Sequence, residues 1–298
     1  MQYKLLGNSD LNVSRIAFGC MSLGENHLEN TALLHRACDF GINFFDTANI
    51  YQNGFNEETV GQALKDRRDK VFIATKAGNQ PRKDGSGWDW NPRKSFIKKC
   101  LHESLKRLQT DYIDLFQLHG GTIDDPTEET IEAFEELKAE GHIRWYGISS
   151  IRPNVIRRWV EKSNMVSTMM QFSLADRRPE ESCLDLLKEN KVGVIVRGAL
   201  AKGLLAGKPA KSYLKHSEEG IRIVQNLLSN LEHENRKSGD IALQFVLAHP
   251  AVTTIAAGIR TKEQLEQNAR IFDIPPLTDA ELRKLREEVP QFQYDAHR

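Results

Sequence analysis

The amino-acid sequence predicts an α/β protein of the (β/α)8 TIM-barrel class, formed as a single domain over residues 1–298. Three observations predict it: short, apolar, β-rich runs recur along the chain, each is followed by a longer charged stretch with helical spacing, and there are eight such units. Strands that are continuously apolar are typical of parallel sheets covered by helices. Eight strand–helix units in about 250 to 300 residues favour a closed barrel over an open doubly wound sheet.

The predicted strands are apolar segments spread over most of the chain. In order they read RIAFGC, NFFDTA, VFIATKA, YIDLFQLH, WYGISS, TMMQFS, VGVIVRG and TTIAAG. Ahead of the first strand, YKLLG and LNV flank the turn-like GNSD. This arrangement predicts a small β-hairpin that closes the N-terminal end of the barrel.

Helix candidates with recognisable ends lie between the strands. NEETVGQALKDRR is expected to begin on an Asn56 cap with acids in its first turn, and PTEETIEAFEELKAEG to begin at Pro126 and end at Gly141. The long polar stretch 208–237 predicts an extra loop and helix between strands seven and eight, and extra helices are expected at the C-terminus. The other candidates are NPRKSFIKKCLHESLKRL, RPNVIRRWVEK, PEESCLDLLKEN and SGDIALQFVLA.

Charge and composition exclude several classes of partner. Lysine plus arginine number 41 and aspartate plus glutamate also number 41, so no field of one sign attracts nucleic acid or an anionic membrane. No window reaches the roughly 18 apolar residues of a membrane span, and the N-terminal MQYKLLGNSD has no apolar h-region. We expect a cytoplasmic protein that acts on a small molecule. The cysteines form no C-x-x-C pair, which predicts no metal site and unreactive or buried thiols at Cys20, Cys38, Cys100 and Cys183.

Polar side chains end six successive predicted strands. In a TIM barrel the C-terminal ends of the strands form one face, which carries the active site. Any one of these residues alone is equally well explained as a solvated strand end or a helix cap, but together they indicate a site. They are Asp46, Lys76, His119, Ser149, Gln171 and Arg197.

The chemistry of this set indicates proton transfer. Asp46 and Lys76 end neighbouring strands and are expected to form an ion pair, which compensates two buried charges. The ammonium is expected to lower the pKa of the Tyr51 phenol, so that Tyr51 can protonate an oxygen, while His119 orients a carbonyl or completes a proton relay. The set has no serine with a base, no H-E-x-x-H and no catalytic carboxylate pair. The second reactant is therefore expected to come from a cofactor, and hydride from a nicotinamide fits.

Three segments resemble the aldo-keto reductase family: GINFFDTANIYQNGFNEETVGQAL, LKRLQTDYIDLFQLH and IRWYGISS, in this order and with Lys76 between the first two. The resemblance extends over essentially the whole chain, from RIAFGC to QLEQN. It implies NADPH-dependent reduction of aldehydes or ketones to alcohols. It also implies a catalytic tetrad of Asp46, Tyr51, Lys76 and His119, in which Tyr51 is the general acid.

The same resemblance implies a binding site for extended NADPH across the barrel mouth. Ser149 and Gln171 would contact the nicotinamide carboxamide, and Ser150 stands where the family usually has asparagine. At the adenosine end, the resemblance implies contacts from the Gly258 backbone, from Arg260 to the 2′-phosphate, and from Gln264 and Asn268 to the adenine.

Local physics supports part of this cofactor site. Thr261 and Gln264 form a predicted capping box that opens a helix, whose N–H groups together with Arg260 favour an anion and NADPH over NADH. The segment GLLAGKP is shorter than a P-loop and lacks its Ser or Thr, so we expect it to border the pyrophosphate instead. Candidate contacts around it are Gly198, Leu200, Gly203, Leu204 and Lys208.

Arg197 departs from the family, many members of which place a tyrosine there to stack on the nicotinamide. A guanidinium also stacks, but it brings a positive charge beside a ring that is cationic only when oxidised. Arg197 is therefore hypothesised to weaken NADP⁺ relative to NADPH.

Two other functions remain open from the sequence. Lys76 would be the nucleophile of a Schiff-base lyase or aldolase, although this needs a neutral amine and Asp46 favours the ammonium. The second alternative is a redox-sensing or regulatory subunit that binds NADPH with little turnover. Trp88 and Trp90 either shape a substrate pocket or pack against the fold.

Overall fold

A closed barrel of parallel strands forms the centre of the computed structural model, which describes residues 1–82 and 84–298. The strands of the chain are β1 (Tyr3–Leu5), β2 (Asn12–Ser14), β3 (Ile16–Gly19), β4 (Phe44–Asp46), β5 (Phe72–Ala77), β6 (Asn79–Pro81), β7 (Trp88–Trp90), β8 (Ile113–Leu118), β9 (Ile143–Ser149), β10 (Ser167–Gln171), β11 (Gly193–Arg197) and β12 (Val252–Gly258). Eight of them form the barrel, hydrogen-bonded in the order β3, β4, β5, β8, β9, β10, β11 and β12, and β12 pairs with β3. These eight correspond to the predicted segments, so the predicted fold class is confirmed.

Helices surround the barrel and follow its strands. The helices are α1 (His27–Asp39), α2 (Phe55–Leu64), α3 (Lys94–Leu108), α4 (Thr127–Ala139), α5 (Pro153–Lys162), α6 (Cys183–Glu189), α7 (Glu218–Ser229), α8 (Ser238–Leu247), α9 (Lys262–Ala269) and α10 (Asp279–Glu288). The extra helix predicted within 208–237 is α7, and α9 and α10 are the predicted C-terminal helices.

Helix α1 is absent from the predicted helices, although it has a clear start. The Asn26 side chain accepts hydrogen bonds from the backbone N–H groups of Leu28 and Glu29, which is a standard N-cap. The buried face carries Asn30 among its apolar residues, and Leu28 is exposed. The apolar pattern of this segment is therefore too irregular to indicate a helix.

The predicted Asn56 cap of α2 is wrong. The helix begins at Phe55, and the preceding Gly54 has φ 95° and makes no side-chain cap. Asn56 lies in the first helical turn, where it is fully buried. The chain enters α2 through a left-handed turn, which directs the Asn56 side chain into the protein. It therefore does not accept hydrogen bonds from the free N–H groups of the first helical turn, as a capping residue would.

The N-terminal hairpin closes the end of the barrel at which the strands begin, as predicted. Strands β1 and β2 pair antiparallel. Leu6, Leu11 and Val13 are fully buried against inward-facing barrel residues such as Ala74 and Leu115. Burial of three branched side chains contributes several kcal/mol, at about 1.5–3 kcal/mol each.

A second hairpin, β6 with β7, lies outside the strands predicted from the sequence. It follows β5 and carries the two candidate tryptophans. The Trp90 indole N–H donates to the Asp125 carboxylate at 2.8 Å and its ring packs on Gly78, whereas Trp88 is exposed. Trp90 therefore has a packing role in the fold.

The composition also led to expectations about membrane-spanning segments, metal-binding sites and the cysteine thiols. Within residues 1–82 and 84–298, no helix is long and apolar enough to cross a membrane, and no cluster of three His, Cys, Asp or Glu side chains is placed to hold a metal ion. Burial raises the pKa of the Cys100 thiol to about 12 and that of Cys183 to about 11. Both thiols are therefore protonated and unreactive at neutral pH.

The contact between α2 and α3 predicts a steric requirement at Gly61. A Cβ there would lie 2.5 Å from the Leu108 backbone of α3, which cannot move as a side chain does. Gly61→Ala should lower the free energy of unfolding by about 1–3 kcal/mol despite the better helix propensity of alanine. Urea denaturation measures this change.

The matched control is Gly220→Ala in α7, where the nearest atom would be the Ser217 Oγ at 3.5 Å. This change should be neutral or stabilise the fold by up to about 1 kcal/mol. If both variants unfold at the same urea concentration, the close α2–α3 contact is incorrect.

Candidate active site

The polar residues predicted from the strand ends lie together at the C-terminal end of the barrel. Parallel register along neighbouring strands brings them to one edge, since Lys76 pairs with Gln117, two residues before His119, and Gln171 pairs with Arg197. The edge runs through Asp46, Lys76, His119, Ser149, Gln171 and Arg197.

Lys76 and Asp46 form a buried ion pair. The Lys76 Nζ lies 2.7 Å from Oδ1 and 2.8 Å from Oδ2 of Asp46, and it also donates to the Thr47 carbonyl oxygen at 2.7 Å. The Lys76 side chain is 0 % exposed. Its ammonium group therefore has protein partners in place of the water that it loses.

The pKa values of the pair show the competition between burial and charge. Burial lowers the pKa of Lys76, but the Asp46 carboxylate and the Tyr51 phenol more than offset it, so the Lys76 pKa lies above its ordinary value. Burial also raises the pKa of Asp46, against the opposing effect of Lys76. The lysine therefore retains its proton at neutral pH.

Tyr51 begins a short 3₁₀ turn, Tyr51–Gly54, between β4 and α2. The Lys76 Nζ lies 5.1 Å from the centroid of its ring. The expected decrease in the Tyr51 pKa is wrong: burial raises it, and this effect outweighs the opposing charge of Lys76. The phenol is thus fully protonated at neutral pH.

His119 directly follows β8 and faces Tyr51. The two ring centroids are 6.0 Å apart, with an angle of 83° between the ring planes. Burial, Lys76 and Arg197 together lower the pKa of His119 to about 3. In the described chain, its Nδ1 is buried without a hydrogen-bond partner. A neutral imidazole is suited to orienting a carbonyl oxygen, but not to supplying a proton as imidazolium.

Arg197 and Gln171 are joined at the ends of β11 and β10. The Arg197 guanidinium donates to the Gln171 Oε1 at 2.9 Å, and the Gln171 Nε2 donates to the Asp176 carboxylate at 2.7 Å and to the Tyr213 hydroxyl at 3.2 Å. Because Asp176 is itself paired with Arg178, its charge is neutralised. The network fixes the orientation of the Gln171 amide and holds the Arg197 charge near the site.

Ser149 ends β9 and Ser150 follows it, and among the described residues only Ser150 of the two has a side-chain hydrogen bond. The Ser150 Oγ accepts from the backbone N–H of Arg152 at 3.2 Å, next to the start of α5, and Ser150 is buried. Ser149 is partly exposed at the barrel end. The structure therefore places Ser149 closer to solvent than Ser150.

The segment after β11 forms a left-handed turn instead of a P-loop. Ala201, Lys202 and Gly203 have φ values of 47°, 60° and 92°, and Gly198 has φ 72°. The Lys208 Nζ folds back to the Lys202 carbonyl oxygen at 3.0 Å. Leu200 and Leu204 pack inward along this turn, and Leu204 is buried.

The predicted capping box at α9 is only half formed. The Thr261 Oγ accepts from the Gln264 N–H, as predicted. The Gln264 side chain, however, accepts from the backbone N–H of Arg260 at 2.9 Å, one residue before the cap. Gly258 and Arg260 are exposed at this end of the barrel, while Asn268 is buried on α9.

The cations in this region fit a polyanionic cofactor. Within residues 1–82 and 84–298, none of Arg197, Lys208 and Arg260 forms an ion pair with a carboxylate, whereas many other basic residues do. Arg260 also precedes the N-terminus of α9, where backbone N–H groups favour phosphate. The side-chain chemistry here therefore fits the phosphates of a dinucleotide cofactor.

Several residues that build the site are missing from the sequence-based set. Asp176 and Tyr213 hold Gln171, and Glu57 and Arg107 form a buried pair beside the Tyr51 turn. Glu57 reads in sequence as an ordinary acid of a first helical turn. One feature of the sequence indicates its burial: Glu57 lies on the same face of the predicted helix as Val60 and Leu64, which are apolar.

Comparisons with known proteins find similarity to one protein family. The model of the Aldo/keto reductase family matches residues 15–289. The "Uncharacterized oxidoreductase YqkF" of Bacillus subtilis (strain 168) is 47% identical over 307 residues, which span 100% of both chains. The holo form of aldo-keto reductase AKR11C1 from Bacillus halodurans is 47% identical, with a TM-score of 0.94 over 100% of this chain and 99% of that one. Its apo form is 44% identical, with a TM-score of 0.86 over the same shares.

The lowered pKa of His119 predicts that its imidazole stays neutral across the ordinary working range. NMR signals of the His119 ring, assigned by their loss in His119→Asn, should not shift between about pH 8 and pH 5, because the pKa is about 3. Titration with a midpoint near 6.5 would mean that the ring is solvated and distant from Lys76 and Arg197.

Proposed function

The chain belongs to the aldo/keto reductase family of oxidoreductases, and from that premise we propose that it is a single-domain, NADPH-dependent reductase of aldehydes or ketones. The observation that carries this proposal is the grouping of a protonated phenol, a buried ammonium and a neutral imidazole. Tyr51 lies within 5.1 Å of Lys76, measured from ring centroid to Nζ, and 6.0 Å from His119 between ring centroids. Such a grouping favours proton donation to an oxygen.

Tyr51 is proposed to be the general acid. When bound, the cofactor supplies hydride to the carbonyl carbon. The raised pKa of Tyr51 keeps its proton in place at neutral pH. An alkoxide is a much stronger base than a phenolate, so the proton still moves from Tyr51 to the substrate oxygen.

The other members of the tetrad are proposed to support this proton transfer. Lys76 stabilises the phenolate that forms on Tyr51, and Asp46 keeps Lys76 charged. His119, being neutral, donates a hydrogen bond to the carbonyl oxygen and orients it. A Schiff-base role for Lys76 is disfavoured, since it needs the neutral amine and the pKa of Lys76 is raised.

The cofactor is proposed to extend from Tyr51 to α9. Ser149, Ser150 and Gln171 would hold the carboxamide, and Arg197 would lie against the nicotinamide. Phosphates would be held by the turn after β11 and by Arg260. The full proposed set is Ser149, Ser150, Gln171, Arg197, Gly198, Leu200, Gly203, Leu204, Lys208, Gly258, Arg260, Gln264 and Asn268.

The proposal predicts that Tyr51→Phe loses reduction but retains cofactor binding. Removing a general acid should lower kcat for 4-nitrobenzaldehyde by about 10²- to 10⁴-fold, with the NADPH Kd little changed, since only the hydroxyl is lost. Loss of NADPH absorbance measures the rate, and fluorescence titration measures the Kd.

Three results would contradict the proposal. Undiminished turnover in Tyr51→Phe would exclude Tyr51 as the acid. A negligible single-turnover rate in the wild-type protein, across a panel of carbonyls, would instead favour the regulatory subunit. Borohydride trapping of a covalent substrate adduct would favour the aldolase.

A second prediction concerns the charge of Arg197, which has no carboxylate partner in the described chain. Arg197→Ala should strengthen NADP⁺ relative to NADPH by about tenfold. This factor corresponds to about 1.4 kcal/mol, a part of the roughly 4 kcal/mol by which two unit charges about 4 Å apart interact near a protein surface. Calorimetric titration of each nucleotide gives the two dissociation constants.

The control for this prediction is Arg197→Lys, which keeps the charge and should keep the ratio of the two constants near that of the wild type. If the ratio of the NADP⁺ and NADPH dissociation constants is unchanged in Arg197→Ala, the guanidinium does not interact electrostatically with the nicotinamide ring.

A further inference from the structure

A buried carboxylate in the first turn of α2 links three elements next to the Tyr51 turn. Glu57 is 0 % exposed. Its Oε1 accepts from the Thr75 hydroxyl on β5 at 2.5 Å, and its Oε2 accepts from the Arg107 Nε on α3 at 2.7 Å. A fully buried carboxylate is costly unless paired, so both contacts are needed for this residue to be tolerated.

The preceding residue anchors the same turn to two other strands. The Asn56 Oδ1 accepts from the Thr47 hydroxyl at 2.7 Å, directly after β4. Its Nδ2 donates to the Cys20 carbonyl oxygen at 2.8 Å, directly after β3. Two consecutive side chains therefore fix the start of α2 to the ends of β3 and β4 and to β5.

These anchor points adjoin the buried ion pair. Thr75 is the residue before Lys76, and Thr47 is the residue after Asp46. The Thr47 carbonyl oxygen also accepts a hydrogen bond from the Lys76 Nζ at 2.7 Å. The position of α2 is thus determined relative to the same backbone that holds the ammonium.

The segment from Tyr51 to α2 needs such anchoring because its backbone is unfavourable. Gln52 and Asn53 have φ values of 49° and 54°, which side-chain-bearing residues rarely adopt, and Gly54 has φ 95°. Arg107 packs on the end of this turn: a Cβ on Gly54 would lie 2.8 Å from the Arg107 Cδ. The arginine that pairs with Glu57 therefore also holds the turn in place.

We propose that Glu57, acting through Thr75 and Arg107, is a positioning residue that holds the Tyr51 phenol against Lys76. The inference rests on the proposed function, in which Tyr51 donates the proton. Glu57 does not touch the reacting atoms. Its effect is to fix the left-handed turn at both ends, with Tyr51 at one end and α2 at the other.

The most selective variant is Thr75→Val, which removes one hydroxyl and preserves side-chain shape. It should lower kcat by about 10- to 100-fold, because displacement of a reacting group by about 1 Å has an effect of this order. KM and the NADPH Kd should change less than about twofold. Thr75→Ser restores the hydroxyl and should return kcat to near the wild-type value. Glu57→Gln should resemble Thr75→Val.

A readout independent of catalysis is the ¹³C NMR signal of the Tyr51 Cζ in protein labelled at tyrosine, assigned by its loss in Tyr51→Phe. The shift of this carbon reports the charge near the phenol. Thr75→Val and Glu57→Gln should move the signal, and Thr75→Ser should not.

The matched control is Asp114→Asn, which, like Glu57→Gln, replaces a buried carboxylate by an amide. Asp114 lies near the start of β8, at the opposite end of the barrel from Tyr51. Asp114 is also fully buried and is paired with Arg68 and Arg144. This variant should lower the unfolding temperature but leave both kcat and the Tyr51 signal at wild-type values.

The outcomes separate this inference from the proposed function. If Thr75→Val and Glu57→Gln leave the Tyr51 signal and kcat unchanged, or if Asp114→Asn alters both equally, Glu57 is not a positioning residue. If the signal moves as expected but Tyr51→Phe still reduces carbonyls at full rate, the positioning is correct and the assignment of Tyr51 as the acid is wrong.

Discussion

The ion pair between Lys76 and Asp46 is the interaction on which the site depends. A lysine with no exposed surface would lose its proton or destabilise the fold unless a carboxylate and a further acceptor replaced water. Asp46 and the Thr47 carbonyl oxygen provide both, at 2.7–2.8 Å. The barrel makes this pair possible, because β4 and β5 are neighbouring parallel strands whose C-terminal ends lie at the same end of the barrel. The charge then acts on its surroundings: together with burial and Arg197 it lowers the pKa of His119, and it opposes the rise in the Tyr51 pKa caused by burial.

The two ends of the barrel have separate tasks. At the end where the strands begin, the hairpin fills the interior with Leu6, Leu11 and Val13. At the other end, charged and strained groups are held by contacts from outside the barrel. The left-handed turn after Tyr51 is fixed by α2 and α3, and Gln171 by Asp176 and Tyr213.

The sequence predicts the strands and the ion pair because both depend on local pattern. A buried apolar run that ends in a charged residue is visible without coordinates, as at Asp46 and Lys76. What it does not predict depends on packing between distant segments. The Tyr51 pKa was expected to be lowered, because the cation is visible in sequence whereas burial of the phenol is not. Asn56 resembles a helix cap, but the left-handed φ of Gly54 turns it into the core. The Gln264 side chain accepts a hydrogen bond from the backbone N–H of Arg260, one residue before the cap that the spacing predicts. Helix α1 is not predicted because it lacks a regular apolar face.

The charge state of Lys76 is the most direct test of this account, and ¹⁵N NMR of its side chain measures it. In uniformly ¹⁵N-labelled protein, with the signal assigned by its loss in Lys76→Met, the Nζ should have the chemical shift of an ammonium at pH 7 and keep it as the pH rises to about 10, the ordinary lysine value. The same signal should move in Asp46→Asn. A Lys76 that titrates well below that value, or that is already a neutral amine at pH 7, would contradict the account.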